Sequence, residues 1–419
     1  MMQLMSENIK TAWLGDFPSH WQVKRIKNIF NELDSRSETG NEELLSVSQY
    51  TGITPTRESL ENEADHITSA ASLKGYKKVS QNDLVINIML AWNGSLGISP
   101  VDGIVSPAYC VYRCKPENNP HYFGYLFSTN LFKAEFRRNS TGIIDSRLRL
   151  YTDKFFSIFS IVPPREEQDE IVELIRERAK KINRFIKLKQ RFIDLLKEQR
   201  QSIITNAITK GIDKNADLDE SGIDWLGQKP HHWKLRRLKY AVTLNKTEIN
   251  LEEQSENLFR IALENIDGWT GKFIETGNPE FNGKGNHFKV GDVLFNKLRP
   301  YLAKAFVADR EGLCVGELLV LTPIQAILRA EFLFHRLMSK DFIEVINSST
   351  YGAKMPRAHW AFIGNLKLGL PSLDEQDRII NYIHDETKTV DIAISKAQRE
   401  IELMQEYKEA MIAETVTGR

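Results

Sequence analysis

The chain repeats itself, and a long internal repeat limits the possible architectures more than any composition does. Residues 13–27 read WLGDFPSHWQVKRIK and residues 225–239 read WLGQKPHHWKLRRLK, an offset of 212. Trp13/Trp225, Gly15/Gly227, Pro18/Pro230, Trp21/Trp233, Arg25/Arg237 and Lys27/Lys239 coincide. A second block recurs at an offset of 208. Residues 162–210 open VPPREEQDEIVELI and residues 370–418 open LPSLDEQDRIINYI, which aligns Gln168/Gln376, Asp169/Asp377, Ile171/Ile379 and Thr209/Thr417. Between the blocks the halves diverge, sharing only DLVIN at 83–87 and DVLFN at 292–296. An acidic, turn-rich connector, GIDKNADLDESG at 211–222, joins them. The scaffold is repeated and the middles are not, as expected if the middles do different versions of one task.

The second block predicts a long helix in each half. Pro163 and Pro164 fit an opening turn, acids Glu166, Glu167 and Asp169 suit the helix dipole, and no Pro or Gly follows until Gly211. Roughly 44 residues at 1.5 Å each give a rod of about 66 Å. Apolar residues recur near every 3.5 positions: Ile175, Ile182, Ile186, Ile193, Leu196 and Ile203 in the first rod, and Ile383, Val390, Ile394, Ile401, Met404 and Met411 in the second. Such seams predict coiled-coil packing, most simply of the rods against each other. Lys189 and Arg200 intrude on the seam, either snorkelling or meeting a partner. If the rods run antiparallel, their length sets the separation of the globular parts. The connector and the N-terminal strip are also expected to close the body into a pseudo-circle, since the 13–27 strip continues 212–225 in register only if the ends meet.

Both middles mix strand-like and helical runs, so the class is α+β with long loops. DLVINIMLAW (83–92), IVSPAYCVYRC (104–114), FSIFSIV (156–162), DVLFNKL (292–298) and LCVGELLVLTP (313–323) predict strands. FGYLFSTNLFKAEFRRN (123–139) and AEFLFHRLMSKDFIEVINSS (330–349) each predict a helix. The whole chain is neutral, with 56 basic and 56 acidic residues, so a polyanion surface must come from local segregation. Residues 74–154 hold 11 basic against six acidic residues. Basic residues interleaved with amides and aromatics suit DNA: Lys and Arg hold phosphates, while Arg, Asn and Gln meet base edges. The candidate contacts in the first half are Lys77, Lys78, Asn87, Trp92, Asn93, Arg113, Arg137, Arg138, Arg147 and Arg149. Those in the second are Lys284, Asn286, Asn296, Lys297, Arg299, Tyr301, Lys304, Lys354 and Arg357. They fall on loops 91–97, 137–149, 282–288, 296–304 and 349–357. For Trp92 and Trp269 core or loop packing is the plainer reading.

Catalytic patterns are missing. There is no GxxxxGK[ST], GxGxxG, HExxH, CxxC or GxSxG, and no [DN]PP[YF] run. His231 and His232 sit in the repeated block, where only His232 has a counterpart, His20, so a structural role is expected and no metal ligand set is assigned. Cys110, Cys114 and Cys314 are too few for a disulfide framework, which makes a reducing cytoplasmic compartment the expectation. The start carries no secretory pattern, and no apolar run approaches 18 residues. On the residues alone the chain is a recogniser without catalytic residues. An enzyme with its own methyltransferase or nuclease centre, or a scaffold that binds no DNA, stays open.

WLGxxPxHWxxxRxK, twice, with PPxxEQxxI and PxxxEQxxI opening long helices, resembles the specificity subunits of Type I restriction–modification systems over 11–210 and 223–419. VSPAYCVYR (105–113) and STGIIDSRL (140–148) resemble segments of that family's recognition domains, from which the second half departs. The resemblance implies two α/β target-recognition domains (1–160 and 223–368), separated by two conserved helices (161–210 and 369–419) that form an antiparallel coiled coil, with 211–222 as linker and a pseudo-twofold repeat. It implies that each domain reads half of a split, asymmetric site on double-stranded DNA. The helices set the gap and dock two modification (methyltransferase) subunits, and restriction (translocase/nuclease) subunits join that core. S-adenosylmethionine, ATP and Mg²⁺ are then expected on the partner subunits, with no cofactor on this chain.

Overall fold

The computed structural model describes residues 11–49, 52–55, 72–144, 147–250, 258–277, 281, 283–352 and 354–419. Asp145, Ser146, Asn282 and Ala353 of the expected loops lie outside the described residues. The chain forms two compact units, one of Met1–Lys189 with Arg399–Arg419, the other of Gln190–Gln398. The segments read from the repeat therefore regroup. Each long helix, Arg165–Lys210 and Leu373–Thr417, gives one half to each unit, because each half is buried in a different core. The boundaries at 160 and 368 fall inside the strands Phe159–Val162 and Lys367–Leu370.

In the first unit a four-stranded sheet runs in the order Phe30–Leu33, Tyr109–Cys114, Leu84–Asn87, Leu96–Ile98, all antiparallel. In the second unit Val242–Asn245, Leu318–Pro323, Val293–Asn296 and Ala305–Val307 take the same order. The central strand is buried on both faces. Leu84 and Ile86 enter the large core while Val85 enters a smaller one, and Val293 and Phe295 part from Leu294 in the same way. A period of two thus explains an unbroken apolar run.

The shared Asp and Asn bracket that strand. Asp83 Oδ2 accepts from Ser80 N at 2.8 Å and Asp292 Oδ2 from Lys289 N at 2.8 Å. Asn87 Oδ1 accepts from Met89 N and Asn296 Oδ1 from Leu298 N. The expected strand 83–92 therefore stops at Asn87, and Ala91–Asn93 is a 3-10 turn. Other expected elements also divide. Pro107 ends Gly103–Val105 before Tyr109–Cys114 begins, and Thr152–Ser157 is helical ahead of Phe159–Val162. The run 313–323 parts into Gly312–Cys314 and Leu318–Pro323. Each long amphipathic run is two helices, Pro120–Ser128 with Asn130–Asn139, and Ala330–Leu337 with Lys340–Ser348. Thr129 Oγ1 accepts from Phe132 N and caps the second of the first pair.

The repeated blocks meet each other within each unit. Gln22–Arg25 pairs antiparallel with Phe159–Val162, and Lys234–Arg237 with Lys367–Leu370. Trp21 Nε1 donates to Glu167 Oε2 at 2.8 Å, with His20 Nε2 at 2.7 Å from Oε1. Trp233 and His232 hold Glu375 in the same manner, at 3.0 and 2.9 Å. The indole and His20 hold the Glu167 carboxyl below its ordinary range. The connector is part of the fold as well: Leu218–Glu220 pairs with Gln228–Pro230, and His231 Nδ1 lies 2.8 Å from Asp219 Oδ2. In the first unit the terminal Arg419 donates to the carbonyls of Leu14 and Asp16, each at 3.2 Å.

The glutamine after that glutamate is buried for a different reason. Gln376 accepts from Arg329 N at 2.8 Å and donates to the carbonyls of Ile327 and Pro371 at 2.9 and 3.1 Å. Gln168 does the same for Asn119 N and Pro163 O. Removing the amide strands several buried backbone groups at once. Gln376→Ala is expected to cost about 2–4 kcal/mol in urea unfolding; a loss under about 0.5 kcal/mol would show that water replaces the side chain.

The helix halves pair in opposite directions. In the first unit Lys408 Nζ donates to Asn183 Oδ1 at 2.9 Å and Lys189 lies 2.5 Å from Glu400. In the second, Arg200 Nε lies 2.8 Å from Asp391 Oδ1. Both cations that interrupt the seam thus have partners on the opposite helix. Ile175, Ile182, Ile193, Ile383, Val390 and Met411 are buried, and Ile186, Leu196, Ile203, Ile394, Ile401 and Met404 are half-buried. Ile204, Ala207 and Ile208 are also buried, where the helix leaves the 3.5 period to join the second core.

Near that core, burial pushes the His335 imidazole down to about 4, with the Arg200 charge adding to the effect. Its unfolded value is about 6.5, so between 6.5 and 4 the unfolded chain binds more protons. Stability on this account is full above pH 6.5 and falls by about 3 kcal/mol as pH drops toward 4. In His335→Gln the difference between urea midpoints at pH 7 and 4.5 is expected to shrink. An unchanged difference would remove His335 as the cause.

Candidate nucleic-acid interface

Folding sorts the candidate side chains into those it uses and those it leaves at the surface. Lys77 is buried with Asp34 at 3.7 Å, and Asn87 and Asn296 are buried as strand caps. Lys304 Nζ donates to Leu263 O at 2.6 Å. These four therefore make contacts within the protein, Lys77 through an ion pair and Asn87, Asn296 and Lys304 through hydrogen bonds to backbone. Arg113 forms a two-point pair with buried Asp83 at 2.8 and 2.9 Å, which raises its pKa further. Arg138 pairs with Glu135 at 2.7 Å, Lys78 with Glu42 at 3.8 Å, and Lys284 with Glu248 at 3.8 Å. Of the basic excess counted over 74–154, Lys77 and Lys78 are met by acids from outside that window, Asp34 and Glu42, while Arg113 and Arg138 pair with acids inside it.

What remains gathers on two loops in each unit. In the first, the turn Ala91–Asn93 ends in left-handed Gly94 (φ 87°) and carries half-buried Trp92 and exposed Asn93. Trp92 Nε1 donates to Met89 O, and the Arg137 guanidinium lies 5.2 Å from the ring centre. Leu150 N donates to Ile88 O and fixes the neighbouring loop, where Arg147 is exposed and Arg149 half-buried.

The second unit repeats the arrangement. Ala358 N donates to Lys297 O, and the turn Pro300–Leu302 places Tyr301 where the first unit has Trp92. Tyr301 and Lys354 are exposed, Lys297 and Arg299 half-buried, and Arg357 lies 3.4 Å from Glu317. Beside them a cavity of about 480 Å³ brings Asn286, Lys297 and Arg357 together with Asn245, Lys246, His359 and Trp360. Sequence reasoning missed these last four, because they converge only when the strands Val242–Asn245 and Leu318–Pro323 pair. His359 follows the expected loop 349–357 by two residues, the one local signal that could have pointed to it.

This surface offers cations, amides and aromatic edges, the groups that hold phosphates and meet bases. It offers little chemistry of its own. Burial pushes the Cys114 and Cys314 thiols up to about 12, so neither is a nucleophilic thiolate at neutral pH. Among the described residues no three His, Cys, Asp or Glu side chains come together to hold a metal ion, and no helix is long and apolar enough to cross a membrane.

Fold and surface define a class: a duplicated α+β protein with a matching set of exposed polar and aromatic loops in each half. Residues 243–403 match the family model of the Type I restriction modification DNA specificity domain. The chain is 24% identical to the Type I restriction enzyme MjaVIII specificity subunit of Methanocaldococcus jannaschii, over 99% of this chain and 96% of that one. It is 21% identical to the EcoDI specificity subunit of Escherichia coli, over 71% and 69%. A solved chain described as "Structural basis underlying complex assembly and conformational transition of the type I R-M system" shares the fold, with a TM-score of 0.66 at 14% identity, over 96% of this chain and 99% of that one. The chain thus carries the DNA specificity domain of the Type I restriction–modification family over residues 243–403 and resembles that family's specificity subunits over nearly its whole length, which supports a DNA sequence-specificity subunit.

Proposed function

We propose that each unit reads one half of a bipartite, asymmetric site on double-stranded DNA, and that the paired helices set the gap between the halves. The observation that carries this reading is a sheet and turn scaffold built twice, with different residues on its tips: Trp92, Asn93 and Arg147 in one unit, Tyr301, Lys354 and Arg357 in the other. One scaffold with two sets of side chains suits two different half-sites.

The chain itself is non-catalytic in this reading. Two modification subunits dock on the helices and carry S-adenosylmethionine for adenine methylation, and restriction subunits bring ATP and Mg²⁺. The complex works in the cytoplasm. The test is to map methylated adenines in the source genome with and without this gene. Loss of one split motif on deletion supports the reading; an unchanged methylation pattern overturns it. Calorimetry of the isolated chain should show no heat with S-adenosylmethionine or Mg²⁺, and binding of either would place a catalytic centre here.

A further inference from the structure

Three of the four non-glycine residues with positive φ among the described residues lie together in the second unit: Trp269 (65°), Arg299 (52°) and Ala303 (45°). Left-handed backbone is costly for such side chains and persists only where the surroundings fix it. Here they do. Trp269 N donates to Ala303 O at 2.8 Å, and Arg299 N to Pro356 O at 2.7 Å. Arg299 Nη2 reaches Lys354 O at 3.5 Å. A Cβ on Gly268 would stand 2.6 Å from Leu302 O, so the turn at 267–271 lies directly on the 299–303 turn. Three segments distant in sequence are locked into one tip.

The lock does not bury what it holds. Trp269 is 41% exposed, Tyr301 46% and Tyr351 86%. In the first unit the equivalent ring, Trp92, is half-buried beneath Arg137 and bonds its own turn. Rigid, exposed rings on a strained frame mark a contact surface. Lys297, Arg299 and Lys354 lie on the same segments, while Asp267 accepts from the Thr270 hydroxyl. The cationic rim favours a polyanion over a protein surface.

We infer that Trp269 and Tyr301 form an aromatic wedge that presses ring faces against bases of the half-site read by the second unit, opening or bending the stack there. The inference rests on the DNA-reading function proposed above and assigns specificity to a ring contact beyond the cationic loops. Base–aromatic contacts weaken by about 5–150-fold per ring on truncation.

The test uses the chain assembled with its modification subunits and a duplex carrying its methylated motif. Trp269→Ala and Tyr301→Ala should each reduce affinity about tenfold or more, with unchanged Tm and an unchanged slope of log affinity against log salt, because no charge is lost. Trp269→Phe should recover most of the affinity, and 2-aminopurine placed in that half-site should brighten on binding for the wild type but not for the double variant. Lys354→Ala should instead flatten the salt slope by about one. Wild-type affinity and motif in the double variant would overturn the wedge. So would weakened assembly of the variants with modification subunits while the fraction that does assemble binds DNA normally, which would assign the rings to a protein partner. A wild-type complex with no salt-dependent DNA binding would instead overturn the underlying reading.

Discussion

Inserting four residues after Gln190 and four before Gln398 is expected to lengthen the gap in the methylated motif by about two base pairs, with both half-sites unchanged. Four helical residues add about 6 Å, and duplex DNA rises about 3.4 Å per base pair. The two points flank the division between the units, and the ion pairs Lys189–Glu400 and Arg200–Asp391 lie on either side, so paired insertion keeps both registers. Insertion in one helix alone shifts one set of partners against the other and should abolish methylation. Methylome sequencing of a strain carrying the paired insertion reads the result. An unchanged gap would mean that something other than helix length fixes the spacing.

Exchanging residues 241–363 for the matching region of another specificity subunit is expected to replace one half of the motif completely and leave the other intact. The cut points follow from the fold. The strands Lys234–Arg237 and Lys367–Leu370 and the Glu375 clamp on Trp233 stay with the host, while Gln376 has to meet the incoming counterparts of Ile327 and Arg329 through their backbone groups alone. A cut at 368 would pass through a ladder strand and mix two sources of one sheet. If both half-motifs change, the units do not read independently.

Much of this was legible from residue order. The repeated blocks marked the scaffold, because Trp, Glu and Gln at fixed spacing make the same clamp wherever it recurs. Gly211 marked where the first rod stops, and it is left-handed there, as is Gly418 just past the second. The seam was legible because helical packing repeats along the chain. Lys189 and Arg200 looked like interruptions only because their partners are about 200 positions away.

The candidate contacts were less legible. Lys77, Asn87, Asn296 and Lys304 have the composition of a DNA surface and the contacts of a core. Asp83 lies 30 residues from Arg113, so a count over 74–154 balances the two charges without saying that they touch. The rings that the fold exposes, Trp269 among them, were ambiguous with loop packing, since exposure belongs to the folded surface.

Sequence by itself determined the duplication, the helical spacers and the family resemblance, since these are written in local periodicity and in recurring motifs. Only tertiary structure decided how the helices divide between the units, which charges stay unpaired and which loops share a tip. Those outcomes depend on hydrogen bonds and burial between residues far apart in the chain, whose free energies appear only when distant segments meet.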